Sequence, residues 1–139
     1  PGIKGLSENI SVRSLLGRFL EHSRICYFQN APRHQRTYLG SPDWMPRNFF
    51  RRVEVAFPIE EEEQEASVIE KLKGYLRDNE FATELKGNGR YLRVARRNRK
   101  PFSIQEHLIT ESVEESEREE LEERLRRASG KTEDQGEGN

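Results

Sequence analysis

The position of its large apolar residues limits this chain more than any other feature. After Ile109 only Val113, Leu121 and Leu125 interrupt a charged and polar run that extends to Asn139. Folding must bury apolar surface to offset lost conformational entropy, so a core has to be built from residues 1–109. The chain is 32% hydrophobic and 35% charged. Ordinary globular chains run at roughly 45–50% and about 25%, so the apolar material has to be concentrated. We therefore expect a folded part, 1–109, and an acidic part, 110–139, that passes from helix to disorder. The last ten residues, "GKTEDQGEGN", are expected to be unstructured.

A net charge of −1 hides a strong asymmetry. Pro1 to Pro58 holds nine Lys/Arg against four Asp/Glu, Ile59 to Thr110 holds ten of each, and Glu111 to Asn139 holds five against eleven. A basic front attracts phosphates, and an acidic end solubilises. Cys26 is the single cysteine, which excludes an internal disulfide and fits a reducing compartment. No apolar run approaches the ~18 residues of a membrane span, and no basic-then-apolar leader is visible. A first residue of Pro rather than Met leads us to expect a piece of a longer chain.

Within 1–109 the periodicity changes several times. Pro1 to Glu8 reads as loop, and Ile10 to Leu20 as a short strand entering a helical turn. Ile25 to Phe28 and Thr37 to Ser41 read as strands that pair around the polar loop Gln29 to Arg36. Pro42 to Asn48 leads into a short helical turn. In "RRVEVAF", Arg51 to Phe57, apolar residues at 53, 55 and 57 alternate with Arg52 and Glu54, which predicts a strand ended by Pro58. A helix over about 61–77 follows, with Val68, Ile69, Leu72, Tyr75 and Leu76 on one stripe. "FATELK" and "RYLRVAR" form a hairpin around Gly87 to Gly89. Ser103, with Glu106 three residues on, predicts the start of a last helix.

Chemistry concentrates at the front. A histidine is suited to acid or base work near neutral pH, and His22 has Arg24 one alternation away at the mouth of a strand. Arg47, Arg51 and Arg52 follow beside Asn48, and planar guanidinium forks suit phosphate oxygens. If 51 and 52 lie on a strand they face opposite ways, so at most one shares the site. Gly40 and Ser41 can offer N–H and hydroxyl groups to an oxyanion, and Asp43 can orient a histidine by accepting its ring N–H. Trp44 and Met45 read as packing residues, and Cys26 as a buried strand residue. His34, in a loop, and His107, on a helix, read as bystanders. "RVARRNRK", Arg93 to Lys100, reads as a solvated loop with a polyanion-binding alternative. No His, Cys and carboxylate set has metal-ligand spacing.

Three stretches, "GLSENISVRSLLGRFLEHSRICYF", "YLGSPDWMPRNFFRRVEVAFPI" and "NGRYLRV…RKPFSIQEHL", resemble in order and spacing the C-terminal region of bacterial polyphosphate kinase. The likeness covers about Gly2 to Leu108. It implies an α/β fold: part of a phospholipase-D-like domain, a mixed sheet with flanking helices, followed by a charged C-terminal helix or tail. It implies reversible transfer of the terminal phosphate of ATP to inorganic polyphosphate through a phosphohistidine lying outside this chain. His22 matches the family's second histidine, an acid/base partner in transfer, and Arg52 a position near the nucleotide phosphates, where Arg24 is expected to join it in binding phosphate and offsetting phosphoryl charge. "HSR" with "GSPD" is similar to a degenerate phospholipase D signature, with Arg24 in place of its lysine and Asp43 in place of its asparagine.

The same resemblance implies Mg²⁺ arriving with the nucleotide, homo-oligomerisation of the complete enzyme, no specific nucleic acid, and a cytoplasmic location with membrane association on its inner face. Four departures stand out: Pro42 for Ala, Phe50 for Asp, "APRHQR" for a Gly-rich loop, and Thr83 for Trp. Two alternatives stay open, a phospholipase-D-like phosphodiesterase and a non-catalytic polyanion-binding remnant. The isolated chain is expected to be inactive, since half of the site would lie elsewhere.

Overall fold

A computed structural model describes the backbone of residues 1–133 and the side chains of 1–126. The α/β class is as expected. Among the described residues six strands and three α-helices run in the order β1 (Arg13–Leu15), β2 (Ile25–Tyr27), β3 (Thr37–Gly40), α1 (Pro46–Arg51), β4 (Ala56–Pro58), α2 (Glu62–Arg77), β5 (Ala82–Leu85), β6 (Tyr91–Arg93) and α3 (Ile104–Glu133), with a short 3₁₀ turn, Arg33–Gln35, between β2 and β3. The strands divide between two antiparallel sheets, one ordered β1-β5-β6 and the other β2-β3-β4.

The β2-β3 hairpin pairs Ile25 with Leu39 and Tyr27 with Thr37. Backbone bonds close both ends, from Gly40 N–H to the Arg24 carbonyl at 3.0 Å and from Phe28 N–H to the Arg36 carbonyl at 2.8 Å. In the other sheet the β5-β6 turn uses Gly89 at φ +79°, a conformation open to glycine without a Cβ clash. A short strand does occur in the 10–20 stretch, but it passes into bends rather than a helical turn.

The largest difference from expectation lies at 51–57. Arg51 ends α1, Arg52 caps it in extended conformation, and only Ala56–Pro58 are strand. Val53 is 99% exposed and Phe57 half exposed, so the alternation marks no buried face. Alternation specifies a strand only where a core takes up one side, and here this chain supplies no such cover. β4 is an edge strand, where Pro58 is tolerated because its missing N–H removes no inner ladder bond.

The unit Pro1–Ile104 has a small apolar core, with Ile59, Ala82 and Ile104 fully buried. Polar residues do much of the tying. Asp78, 0% exposed, accepts the N–H groups of Glu80, Phe81 and Ala82 on Oδ1 at 2.9–3.1 Å, and that of Ile104 on Oδ2 at 3.0 Å. One carboxylate thereby joins the end of α2, the start of β5 and the first residue of α3. Gly74 lets α2 approach Ile104 closely: a Cβ there would fall 2.3 Å from Ile104 Cδ1 and force that buried side chain to shift. α2 itself carries Glu62, Glu63 and Glu65 in its first turn and Arg77 in its last, matching the helix dipole.

The unit 105–139 is helical through Glu133. Val113, Leu121 and Leu125 are exposed, and Arg124 pairs with Glu120 one turn away at 3.1 Å. Of the end expected to be unstructured, Gly130–Glu133 continue the helix, and 134–139 lie outside the described residues.

Candidate functional site

His22 precedes β2 and is fixed from two directions. Its neighbours in sequence reach Tyr75 on α2: the Tyr75 hydroxyl donates to Glu21 Oε2 at 2.7 Å and lies 3.4 Å from Ser23 Oγ. Burial, the larger influence, raises the Tyr75 pKa, which keeps the phenol protonated as a donor. From the other side, Arg24 Nη1 lies 2.8 Å from Nδ1 and 3.1 Å from Nε2 of the His22 ring, and donates to the His22 carbonyl at 3.0 Å. A guanidinium only donates, so the ring presents a lone pair to Arg24.

Arg24 is held in turn by Asp43. Its Nε and Nη2 both reach Asp43 Oδ1, at 3.0 and 2.7 Å. Asp43 therefore contacts the arginine, and the expected ring N–H bond from His22 to Asp43 is replaced by an Asp43–Arg24–His22 chain. Geometry decides this, because Arg24 occupies the space between carboxylate and ring. The Arg24 hydrogen bond holds the Asp43 carboxyl below its ordinary range, aided by the charges of Arg24, Arg47 and His22.

Ser41 and Asn48 are joined by a residue that the sequence did not single out. Ser41 Oγ donates to Glu54 Oε2 at 2.5 Å, and Asn48 Nδ2 donates to Oε1 of the same carboxylate at 2.9 Å. Ser41 also accepts the Val55 N–H at 3.0 Å. Its hydroxyl is thus committed to a carboxylate instead of standing open to an oxyanion. Asn48 is buried, and its Oδ1 is the buried side-chain atom left without a partner among the described residues. Glu54 was legible only as one polar member of an alternating run.

The remaining arginines differ from Arg24. Arg47, Arg51 and Arg52 are exposed, with no hydrogen bond or ion pair of their side chains among the described residues. Arg51 and Arg52 sit at a helix end rather than on a strand, so the alternation argument for choosing between them does not apply. Arg52 makes no bond to His22 or Arg24.

Other candidates are placed plainly. Trp44, expected to pack, is 80% exposed and meets Phe49 edge to face at 5.9 Å. Met45 is also exposed and supplies the N-cap backbone of α1. Cys26 is free and half-buried rather than enclosed. His34 is exposed beside Gln35, and His107 is exposed on α3. Among the described residues no group of three or more His, Cys, Asp or Glu could hold a metal ion. No helix of the described residues is long and apolar enough to cross a membrane.

Comparison with known proteins places these features in a family context. The family model described as polyphosphate kinase C-terminal domain 2 matches residues 1–105. A polyphosphate kinase of Pseudomonas putida is 48% identical over 110 residues, which are 78% of this chain and 15% of that protein. One from Paraburkholderia phytofirmans is 55% identical over 94 residues, 67% of this chain and 14% of that protein. The crystal structure of polyphosphate kinase from Porphyromonas gingivalis matches with TM-score 0.68 and 31% identity, covering 78% of this chain and 17% of that one. The chain thus spans about 15% of the length of the curated relatives that it matches.

Proposed function

The chain belongs to the polyphosphate kinase C-terminal domain 2 family, and from that premise we propose that it forms one wall of a site transferring the terminal phosphate of ATP to inorganic polyphosphate. The observation that carries this reading is the Asp43–Arg24–His22 chain, in which a carboxylate-held cation fixes an exposed imidazole. On this reading the catalytic portion is 1–109, and 110–139 is an acidic appendage.

In the first step a histidine outside this chain attacks the γ-phosphorus: an N–P bond forms, the P–O bond to ADP breaks, and ADP leaves. In the second, the terminal oxygen of polyphosphate attacks that phosphorus, an O–P bond forms and the N–P bond breaks. His22 exchanges a proton with the attacking or leaving oxygen. Arg24 positions the ring, and Arg52, with Arg47, offsets charge that grows on the phosphoryl oxygens. Ser41 and Asn48 support the wall through Glu54. Mg²⁺, arriving with the nucleotide, would offset charge on its phosphates and would be held largely by them and by residues outside this chain.

Partners follow from the same reading. Exposed Leu16, Leu20, Trp44, Phe50 and Val53 seat against the remaining domains of the kinase, whose complete form is a homo-oligomer. The location is cytoplasmic, on the inner face of the membrane. No sequence-specific contact to nucleic acid enters this scheme. Arg24, in place of the lysine that a phospholipase-D-like phosphodiesterase needs, disfavours hydrolysis of that class.

The test is to replace the corresponding region of the Pseudomonas putida enzyme by residues 1–109. The chimera should make polyphosphate from ATP, and the isolated chain should not. An inactive chimera would favour a non-catalytic remnant, and an active isolated chain would refute the half-site.

A further inference from the structure

Lys86 to Gln105 contains seven Lys/Arg and no Asp/Glu, in a chain whose net charge is −1. Two of those cations are neutralised: Lys86 pairs with Glu84 at 2.8 Å, and Arg96 pairs with Glu80. Arg90, Arg93, Arg97, Arg99 and Lys100 are exposed and have no ion pair among the described residues. Like charges this dense repel one another, so without an anion the loop is held together against its own electrostatics.

The backbone adds a second, independent observation. Arg99 N–H bonds to the Arg96 carbonyl at 2.9 Å, closing a turn whose central residues, Arg97 and Asn98, have φ of +43° and +64°. This is the positive-φ pattern of a type I′ turn, where glycine is unstrained and a long side chain is not. Asparagine tolerates that region; arginine at +43° is an outlier. The strained position is the one that thrusts a guanidinium outward. Arg99 is held in place as well, its Nε and Nη2 donating to the Arg96 and Ala95 carbonyls at 3.3 and 3.2 Å. Arg96 is pinned to Glu80, so the turn is braced on both sides.

We infer that the end of β6 and the loop from it to α3, with Arg93, Arg97 and Lys100 as reaching cations, form a docking surface for a flexible inorganic polyanion, a chain of linked phosphates. The inference deepens the function proposed above by assigning the polymer a seat distinct from His22. A single-stranded nucleic acid fits less well. Stacking platforms interleave aromatics with cations, whereas here the nearest aromatics, Tyr91 and Phe102, flank Arg93 to Lys100, and Phe102 is already covered by the Arg77 guanidinium at 5.3 Å. A bare phosphate chain needs only spaced cations, and releases counterions when they bind it.

The experiment measures binding of long-chain polyphosphate to the 139-residue chain across a range of salt concentrations, with circular dichroism to confirm unchanged folding. A variant carrying Arg93→Gln, Arg97→Gln and Lys100→Gln should bind at least about 10-fold more weakly, with a salt slope smaller by about three. A control carrying Lys4→Gln, Lys71→Gln and Lys73→Gln should keep most of its affinity. Arg97→Gly separates charge from conformation: it should raise the Tm while weakening binding about 2- to 5-fold. Equal losses in both triple variants, or an Arg97→Gly variant binding as tightly as the parent, would overturn the inference. So would tighter binding of single-stranded DNA than of polyphosphate at equal charge. No phosphoryl transfer enters the assay. A chimera that is active while the loop variants bind normally therefore refutes the loop alone, and the converse refutes the catalytic reading alone.

Discussion

Two arginine–carboxylate pairs stand at opposite ends of the β2-β3 hairpin, and they have opposite surroundings. At one end Arg36 donates through Nε and Nη2 to Glu65 Oε1 and Oε2, at 3.2 and 2.7 Å, while Thr37 Oγ1 donates to Oε1 at 2.7 Å. Glu65 is 3% exposed, and Arg36 also lies over the Tyr27 ring at 5.8 Å. At the other end Asp43 is partly open and uses a single oxygen, and the far side of Arg24 is spent on an exposed imidazole. The first pair closes on itself, α2 locked to β3. The second continues into an exposed imidazole whose two ring nitrogens both lie within hydrogen-bond distance of Arg24 Nη1.

That contrast orders the expected effects. Removing Glu65 leaves Arg36 and Thr37 facing a buried gap with donors unmet. Glu65→Ala should lower the Tm of the chain by roughly 10 °C or more, or abolish cooperative unfolding. A melt within a few degrees of the parent would erase the distinction between the two ends. Asp43→Ala should show the reverse: a Tm shift of a few degrees at most, and about 10-fold or greater loss of synthesis in the chimera, as Arg24 loses its brace and the ring its orientation. Equal activity would mean that Arg24 holds His22 unaided.

Acid should separate the ends next. The Arg36 hydrogen bond, then that from Thr37, lowers the Glu65 pKa below its ordinary 4.5. A depressed carboxylate contributes stability above its unfolded value, and loses it as pH falls through the folded value. Melts from pH 7 to 3 should therefore steepen below about pH 4.5, and the steepening should shrink in Glu65→Gln. Asp43→Asn should change it little, because that carboxylate is screened by solvent. The smallest effect belongs to the open surface: Lys73 meets Glu70 at 2.9 Å with both side chains more than half exposed, so Lys73→Ala should cost less than about 0.5 kcal/mol.

Local signals explain what could be read in advance. The hairpin at 25–41, the α2 stripe, the glycine turn at 87–89 and the start of α3 each depend on neighbours in sequence, and each was legible. Residues 51–57 were not, because Val53, Val55 and Phe57 are exposed and no buried face fixes their alternation as a strand. His22 and Arg24 were visible as a pair two residues apart. The carboxylates that organise the molecule, Asp78, Glu65 and Glu54, were silent, since each acts on donors distant in sequence or on backbone N–H groups. Tyr75 was read as one apolar member of a stripe, although its hydroxyl anchors the segment that carries His22. A composition can place a carboxylate near an arginine, but only the fold says which oxygen meets which donor.

The most direct test of the account is ATP-dependent polyphosphate synthesis by the chimera with and without His22→Ala. The account predicts a fall of about 10²-fold or more in kcat, with folding unchanged. Synthesis within about threefold of the unsubstituted chimera would contradict it, since general acid–base removal is expected to cost far more than that.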